Sequence, residues 1–203
     1  MLLTTRTILP AILATLALLA SCASAPPSTV IRTLYNPDPD MAGFRNVVVV
    51  SVTGTYRSRE QFERTLVAAL SSEKVSATAY FTVIGRNPQL TRANLHNAIR
   101  NRGFDAVIFT RLKGQEQKEL APLRPIGPGL DLFAYDYDEL NRDVGMQEAQ
   151  AITFVTEIYS TASQNKVWAI ESLSIDKASA AEVVSDQAAM IGAQIKKDKL
   201  LAR

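Results

Sequence analysis

Residues Val47 to Val52 (VVVVSV) are β-branched at nearly every position. A run that is apolar on both alternating faces fits a strand buried from both sides, at the middle of a sheet covered by helices. The sequence downstream supplies those helices. Ser58 and Gln61 read as a capping box, and Phe62, Leu66, Ala69 and Leu70 follow at helical spacing. Ser76 to Ile84 reads as a second strand, with Ala77, Ala79, Phe81 and Val83 on one side. Pro88 and Thr91 announce a second helix that turns Leu95, Ala98 and Ile99 inward and stops at Gly103. Ala106 to Leu112 (AVIFTRL) is a third strand. Residues 45–112 therefore read β-α-β-α-β, with connections suited to right-handed parallel crossovers.

Residues 113–148 break this rhythm with prolines, glycines and an aromatic-acidic run, and exceed an ordinary connection. Ala149 to Ser160 is a fourth strand, with Ile152, Phe154 and Ile158 alternating. A turn at Ala162 to Asn165 joins it to a fifth strand, Lys166 to Leu173, as a hairpin. Ser179 and Glu182 form a further capping box. The helix it opens carries Ala180, Val184, Ala188, Ile191 and Ile195 on one stripe. Lys196, Lys197 and Lys199 lie at its carboxyl end, where the helix dipole favours cations. The fold class is α/β (α+β). One domain over 43–203 is expected, with a mixed sheet of about five strands in the order β-α-β-α-β-(long loop)-β-β-α.

Composition narrows function mainly by exclusion. With 47% apolar and 21% charged residues in 203, the chain is ordinary globular protein. A net charge of +2 is too balanced to point to nucleic acid. The single cysteine excludes an internal disulfide and a multi-cysteine metal site, and the single histidine excludes a site built on several. No cofactor and no metal are expected.

The amino terminus reads as an address. Arg6 gives a short positive region, and Ile8 to Ala20 a mostly apolar one. That stretch is shorter than the roughly 20 residues a spanning helix needs. Leu19, Ala20, Ser21 and Cys22 then resemble the lipobox of bacterial lipoproteins. The resemblance implies a signal peptide over 1–21, cleavage before Cys22, and diacylglycerol and acyl (palmitate-type) chains on Cys22. More than one chain suffices for stable anchoring, at about 0.8 kcal/mol per buried methylene. The other reading of the run is a plain secretory signal cut at a later Ala-x-Ala-like site. Residue 23 is Ala rather than Asp, which in the enterobacterial pattern of the lipoproteins it resembles implies the outer membrane, facing the periplasm. Residues 22–42, with four prolines, read as the lipidated cysteine and a Pro-rich tether with no regular core.

The element order and three stretches, VVVVSVTG, GFDAVIFTRL and EIYSTASQNKVWAIES, are similar to a group of small envelope lipoproteins. The group includes the curli-secretion lipoprotein, the amino-terminal domain of the Tol translocation protein and lipoprotein activators of penicillin-binding proteins. The resemblance spans about residues 45–200. It implies a non-catalytic adaptor and carries no catalytic residues to transfer. The tether here is shorter than the long ones of the activators.

Several constellations remain open at this level. Thr53 to Ser58, at the first strand–helix junction, reads as a helix cap with a surface Arg57 or as a weak anion site; it lacks phosphate-loop spacing, as does Gly127-Pro128-Gly129. Phe133, Tyr135 and Tyr137 recur at period two among Asp131, Asp136, Asp138, Glu139 and Asp143. They are either a cover over the domain's own sheet or the anchors of a partner contact, and they are the candidate binding residues. Leu140 spoils a calcium-loop pattern there. His96 reads as a solvated or capping side chain and Trp168 as core. Arg92, Arg100 and Arg102 read as a solvated helix face. The leading expectation is a membrane-anchored periplasmic binding or assembly module, with an envelope protein partner or self-association and no nucleic acid. The alternatives are an envelope glycan or ester hydrolase using Asp136 and Asp138, and a subunit of a homo-oligomeric envelope complex.

Overall fold

A computed structural model describes residues 27–37, 43–52, 55–84, 91–115, 118–119 and 151–202. They form a single mixed α/β domain. The elements in chain order are β1 (Thr29–Tyr35), β2 (Asn46–Val52), α1 (Tyr56–Leu70), β3 (Ser76–Ala79), α2 (Tyr80–Ile84) and α3 (Arg92–Arg102). They continue as β4 (Ala106–Gln115), β5 (Lys118–Glu119), β6 (Ala151–Ser160), β7 (Lys166–Ile175) and α4 (Ala180–Lys197). The sheet runs β1-β7-β6-β4-β2-β3, with β5 paired to β4. β2 is parallel to both β3 and β4, and the other pairs are antiparallel.

The Val47–Val50 run behaves as its composition demands. All four side chains are fully buried. Val47 and Val49 join Phe62, Leu66 and Leu70 of α1 and Val184, Ala188, Ile191 and Ile195 of α4. Val48 and Val50 face the other way, to Tyr80 of α2 and to Leu95 and Ala98 of α3. The period-two pleat thus splits one strand between two cores, and this half of the domain has three layers.

Caps explain the helix boundaries. Thr91 Oγ1 accepts the Asn94 N–H at 3.1 Å, and Gly103 ends α3 in the left-handed region at φ 61°. Ser179 Oγ accepts from Glu182 N–H at 3.2 Å, while the Glu182 carboxylate accepts from Ala178 N–H, one residue before the cap itself. The first helix departs from expectation: its cap is Thr55, whose Oγ1 accepts from Ser58 N–H at 3.3 Å. Gln61 is then released from capping. It donates to Ala181 O (3.2 Å) and Ser185 Oγ (2.9 Å), clamping α1 to α4.

Two further expectations need correction. The strand read over Ser76 to Ile84 stops at Ala79 and becomes helical. β-propensity yields there because a carboxylate from α1, Glu63, accepts the Phe81 N–H at 2.9 Å and organises the start of α2. The tether read over 22–42 is not free of regular structure, since Thr29–Tyr35 pairs antiparallel with β7. The prolines hid a proline-free, β-prone segment, TVIRTLY, which is tied down where Ser28 N–H donates to Asp186 Oδ2 at 2.6 Å. The expected mixed sheet is in place, and β1 and the short β5 add to its five expected strands.

The seam between α1 and α4 is close enough to be tested. A Cβ built on Gly192 would lie 2.8 Å from Ala69 Cβ. Alanine there gains helix propensity of about 1 kcal/mol but overpacks the seam by about 1–3 kcal/mol. Gly192→Ala is therefore expected to lower stability by about 1 kcal/mol in urea unfolding. A stabilised variant would mean that the helices part without cost.

Candidate functional site

The face of β7, β6 and β4 opposite α4 carries charge rather than a continuous apolar surface. Glu171, near the middle of β7, is buried, as is Glu157 on β6. Each has a cation. Arg32 of β1 donates to Glu171 Oε2 at 2.7 Å, and Lys113 of β4 reaches across β6 to Glu171 Oε1 at 2.6 Å. Lys166 pairs with Glu157, which also accepts the Tyr159 hydroxyl at 3.0 Å.

The strand register explains why these groups meet. Arg32 lies opposite Glu171, Glu171 opposite Val155, and Val155 opposite Arg111. One row across four strands thus reads Arg32, Glu171, Val155, Arg111, with Lys113 two residues along. Arg32 and Lys113 keep substantial exposure. Arg111 Nε is buried, with no hydrogen-bond partner among the described residues. Desolvation pushes the Glu171 carboxyl up, but the hydrogen-bonded cations Lys113 and Arg32 outweigh it and hold it below the usual carboxylate range. The group is an anion fixed between two cations, and the row has more basic groups than acidic ones.

A second acid is handled differently. Glu63 of α1 accepts N–H groups from Ser51 (3.0 Å) and Phe81 (2.9 Å). Burial pushes its carboxyl up to about 8, against the pull of those backbone donors and of Arg59. Both oxygens are committed to the backbone, so the group joins β2, α1 and α2.

Other residues singled out from sequence fall into ordinary settings. Thr55 and Ser58 share a hydroxyl hydrogen bond at 3.1 Å within the α1 cap. Arg57 of that junction is exposed, as the cap reading expects. His96 is half-buried and lines a recess of about 150 Å³ with Arg100, Tyr159, Ser160, Thr161 and Gln164. The hydroxyls there are engaged: Thr161 donates to Phe104 O at 2.6 Å, Tyr159 donates to Glu157, and Ser160 accepts from Ser163 N–H. Arg100 and Arg102 are exposed in the last turn of α3. Trp168 is fully buried and donates from Nε1 to Asp198 Oδ2 at 2.9 Å. Among the described residues no cluster of metal-ligating side chains occurs. Cys22, the candidate anchors Phe133, Tyr135 and Tyr137, and the acids Asp136 and Asp138 lie outside the described residues.

Sequence reasoning missed Glu63, Glu171 and the cations around the latter. Its available signal was local misfit: an acid between Phe62 and Leu66 on a buried helix face, and another inside the apolar strand VWAIESL. A charge in such a place requires a partner.

The sheet also ends in an apolar margin. Ile31, Leu34 and Tyr35 on β1 and Ile175 at the end of β7 are 38–50% exposed, the large apolar side chains that stand out among the described residues.

No family model matches the chain, and no curated protein matches it. Among solved structures it is similar to the PelC dodecamer from Paraburkholderia phytofirmans, at 15% identity over 87% of this chain and 99% of that one, with a TM-score of 0.45. It is also similar to lipoprotein GNA1162 from Neisseria meningitidis, at 10% identity over 74% and 96% of the two chains, with a TM-score of 0.40. These are loose likenesses of fold.

Proposed function

We propose that the protein is a lipid-anchored periplasmic lipoprotein that acts as a non-catalytic binding or assembly module for other envelope components. The observation that carries this is the run Leu19-Ala20-Ser21-Cys22, placed six residues before Ser28, whose N–H is held by Asp186. An acylated Cys22 would hold the domain at a membrane, and the outer membrane is the one that Ala23 favours. The charge chemistry supports binding over turnover. Glu171 is locked between cations, and Glu63 is spent on backbone donors, so neither is free to carry a proton to a substrate. The surplus of basic groups at Arg32, Arg111 and Lys113 suits an acidic partner surface. Phe133, Tyr135 and Tyr137 supply the aromatic anchors of that contact in this reading.

Crosslinking of the full-length protein in cells, followed by capture and mass spectrometry, tests it. One stoichiometric envelope partner is expected. It should be lost in Cys22→Ala, and lost again when Phe133, Tyr135 and Tyr137 are replaced together by alanine with the fold intact. Capture that survives both changes would sink the reading. Capture of copies of this chain alone would turn it into self-assembly. Release of peptidoglycan fragments, lost in Asp136→Asn or Asp138→Asn, would make the protein a hydrolase.

A further inference from the structure

We infer that the β1 margin of the sheet is the surface that rests on the bilayer, with Ile31, Leu34, Tyr35 and Ile175 entering the headgroup region. The inference deepens the lipoprotein reading and rests on it.

The first argument is reach. Between Cys22 and Ser28 lie six residue steps, which span at most about 20 Å when fully extended. Ser28 is not a loose end. It is buried, and its N–H is held by Asp186, which is itself paired with Lys177 at 2.8 Å. The chain then enters β1 at once. A domain fastened at this point cannot stand away from its acyl chains, so the margin that receives the chain must lie at the membrane. Thr29 is opposite Leu173, which puts Ile175 level with the arriving chain. Ile31, Leu34 and Tyr35 continue from there along the strand.

The second argument concerns what covers this margin. A second copy adding a strand would need a regular row of outward N–H and C=O groups. β1 breaks its register twice in seven residues, between Val30 and Arg32 and between Thr33 and Tyr35. Such irregularities blunt an edge against strand addition. A fluid lipid surface makes no demand on register. It accepts Ile and Leu side chains, and it favours a tyrosine ring at headgroup level.

The test uses the full-length protein reconstituted in vesicles of phosphatidylethanolamine and phosphatidylglycerol. Acylation consumes the only native thiol, so Ile31→Cys, Leu34→Cys and Glu73→Cys each carry one reactive site for a polarity-sensitive fluorophore. Glu73 is exposed in the turn before β3, at the opposite margin. Mass spectrometry first establishes whether Cys22 is acylated. Probes at 31 and 34 are expected to shift to the blue and to be quenched by headgroup-level nitroxide lipids at least about twofold more than the probe at 73. Equal quenching at all three positions, with Cys22 acylated, overturns the inference and leaves the anchor reading intact. Self-quenching at 31 and 34 that is relieved by unlabelled protein, without a nitroxide effect, assigns the margin to a second copy and also overturns it. An unacylated Cys22 removes both the anchor and the argument from reach.

Discussion

Replacing Glu63 with alanine is expected to destabilise the domain by about 3–5 kcal/mol, enough to threaten folding at physiological temperature. Two backbone donors lose their acceptor, Ser51 N–H near the end of β2 and Phe81 N–H at the start of α2. Each buried, unsatisfied donor costs about 1–3 kcal/mol, and the missing side chain adds a cavity. The wild type carries a second signature of the same group. Its carboxyl titrates near 4.5 when unfolded and near 8 when folded. A carboxyl whose folded value is raised is most favourable to folding when protonated in both states, below about 4.5. Between 4.5 and 8 the unfolded chain ionises and the folded one does not, so stability declines by up to about 1.4 kcal/mol per pH unit. Above 8 the decline levels off.

Glu171 and Asp186 pull the other way. Desolvation alone would raise both, but Lys113 and Arg32 at the first, and Lys177 and Ser28 at the second, lower them on balance. Their contribution is present above the ordinary carboxylate range and is lost as pH falls through their folded values. Together the three groups place the stability maximum in mildly acidic solution. Urea midpoints from pH 4.5 to 9 should therefore fall in the wild type and stay flatter in Glu63→Gln, which cannot ionise. A wild type as flat as Glu63→Gln would show that the carboxyl is already ionised in the folded protein at neutral pH.

What the sequence disclosed and what it hid follow from the range of the interactions involved. Val47–Val52, the stripes of α1 and α4, and the caps at Thr91 and Ser179 are local patterns, and the structure has them in place. The hairpin of β6 and β7 was equally legible, because its turn and its alternation are contiguous. β1 was hidden because its partner is β7, well over a hundred residues away, while its immediate neighbours are prolines. α2 was hidden for a related reason: YFTVI is a strand by propensity, and only Glu63 from another element makes it helical. The charged row is wholly non-local. Arg32, Lys113 and Glu171 sit on three strands, and nothing in the neighbourhood of any one of them names the other two. Sequence reasoning sought a site among conspicuous aromatics, whereas the described part of the structure concentrates its charge where register alone assembles it.

Trp168→Ala is expected to cost about 3–5 kcal/mol, the range for losing a buried aromatic side chain. This is the one tryptophan of the chain and the largest of its fully buried side chains. It packs among Ile158, Ile170 and the buried stripe of α4, and its ring also has a polar duty. Nε1–H donates to Asp198, which caps the end of α4 and is held in turn by Gln194 Nε2 at 2.9 Å. Beyond that cap the chain closes back on the sheet, with Phe44 N–H donating to Leu200 O and Ala202 N–H to Phe44 O. Removing the indole thus leaves a cavity under β7 and loosens the fastening of the carboxyl-terminal segment. Trp168→Phe separates the two losses. It keeps most of the apolar volume and forfeits the hydrogen bond to a charged acceptor, for an expected cost of about 1.5–3 kcal/mol. Thermal unfolding followed by far-ultraviolet circular dichroism suits both variants, since each lacks the native fluorophore. Hydrogen exchange should show residues 198–202 opening more readily in Trp168→Phe than in the wild type. Unchanged protection there would mean that the hydrogen bonds of Phe44 to Leu200 and Ala202 hold the segment without help from the indole.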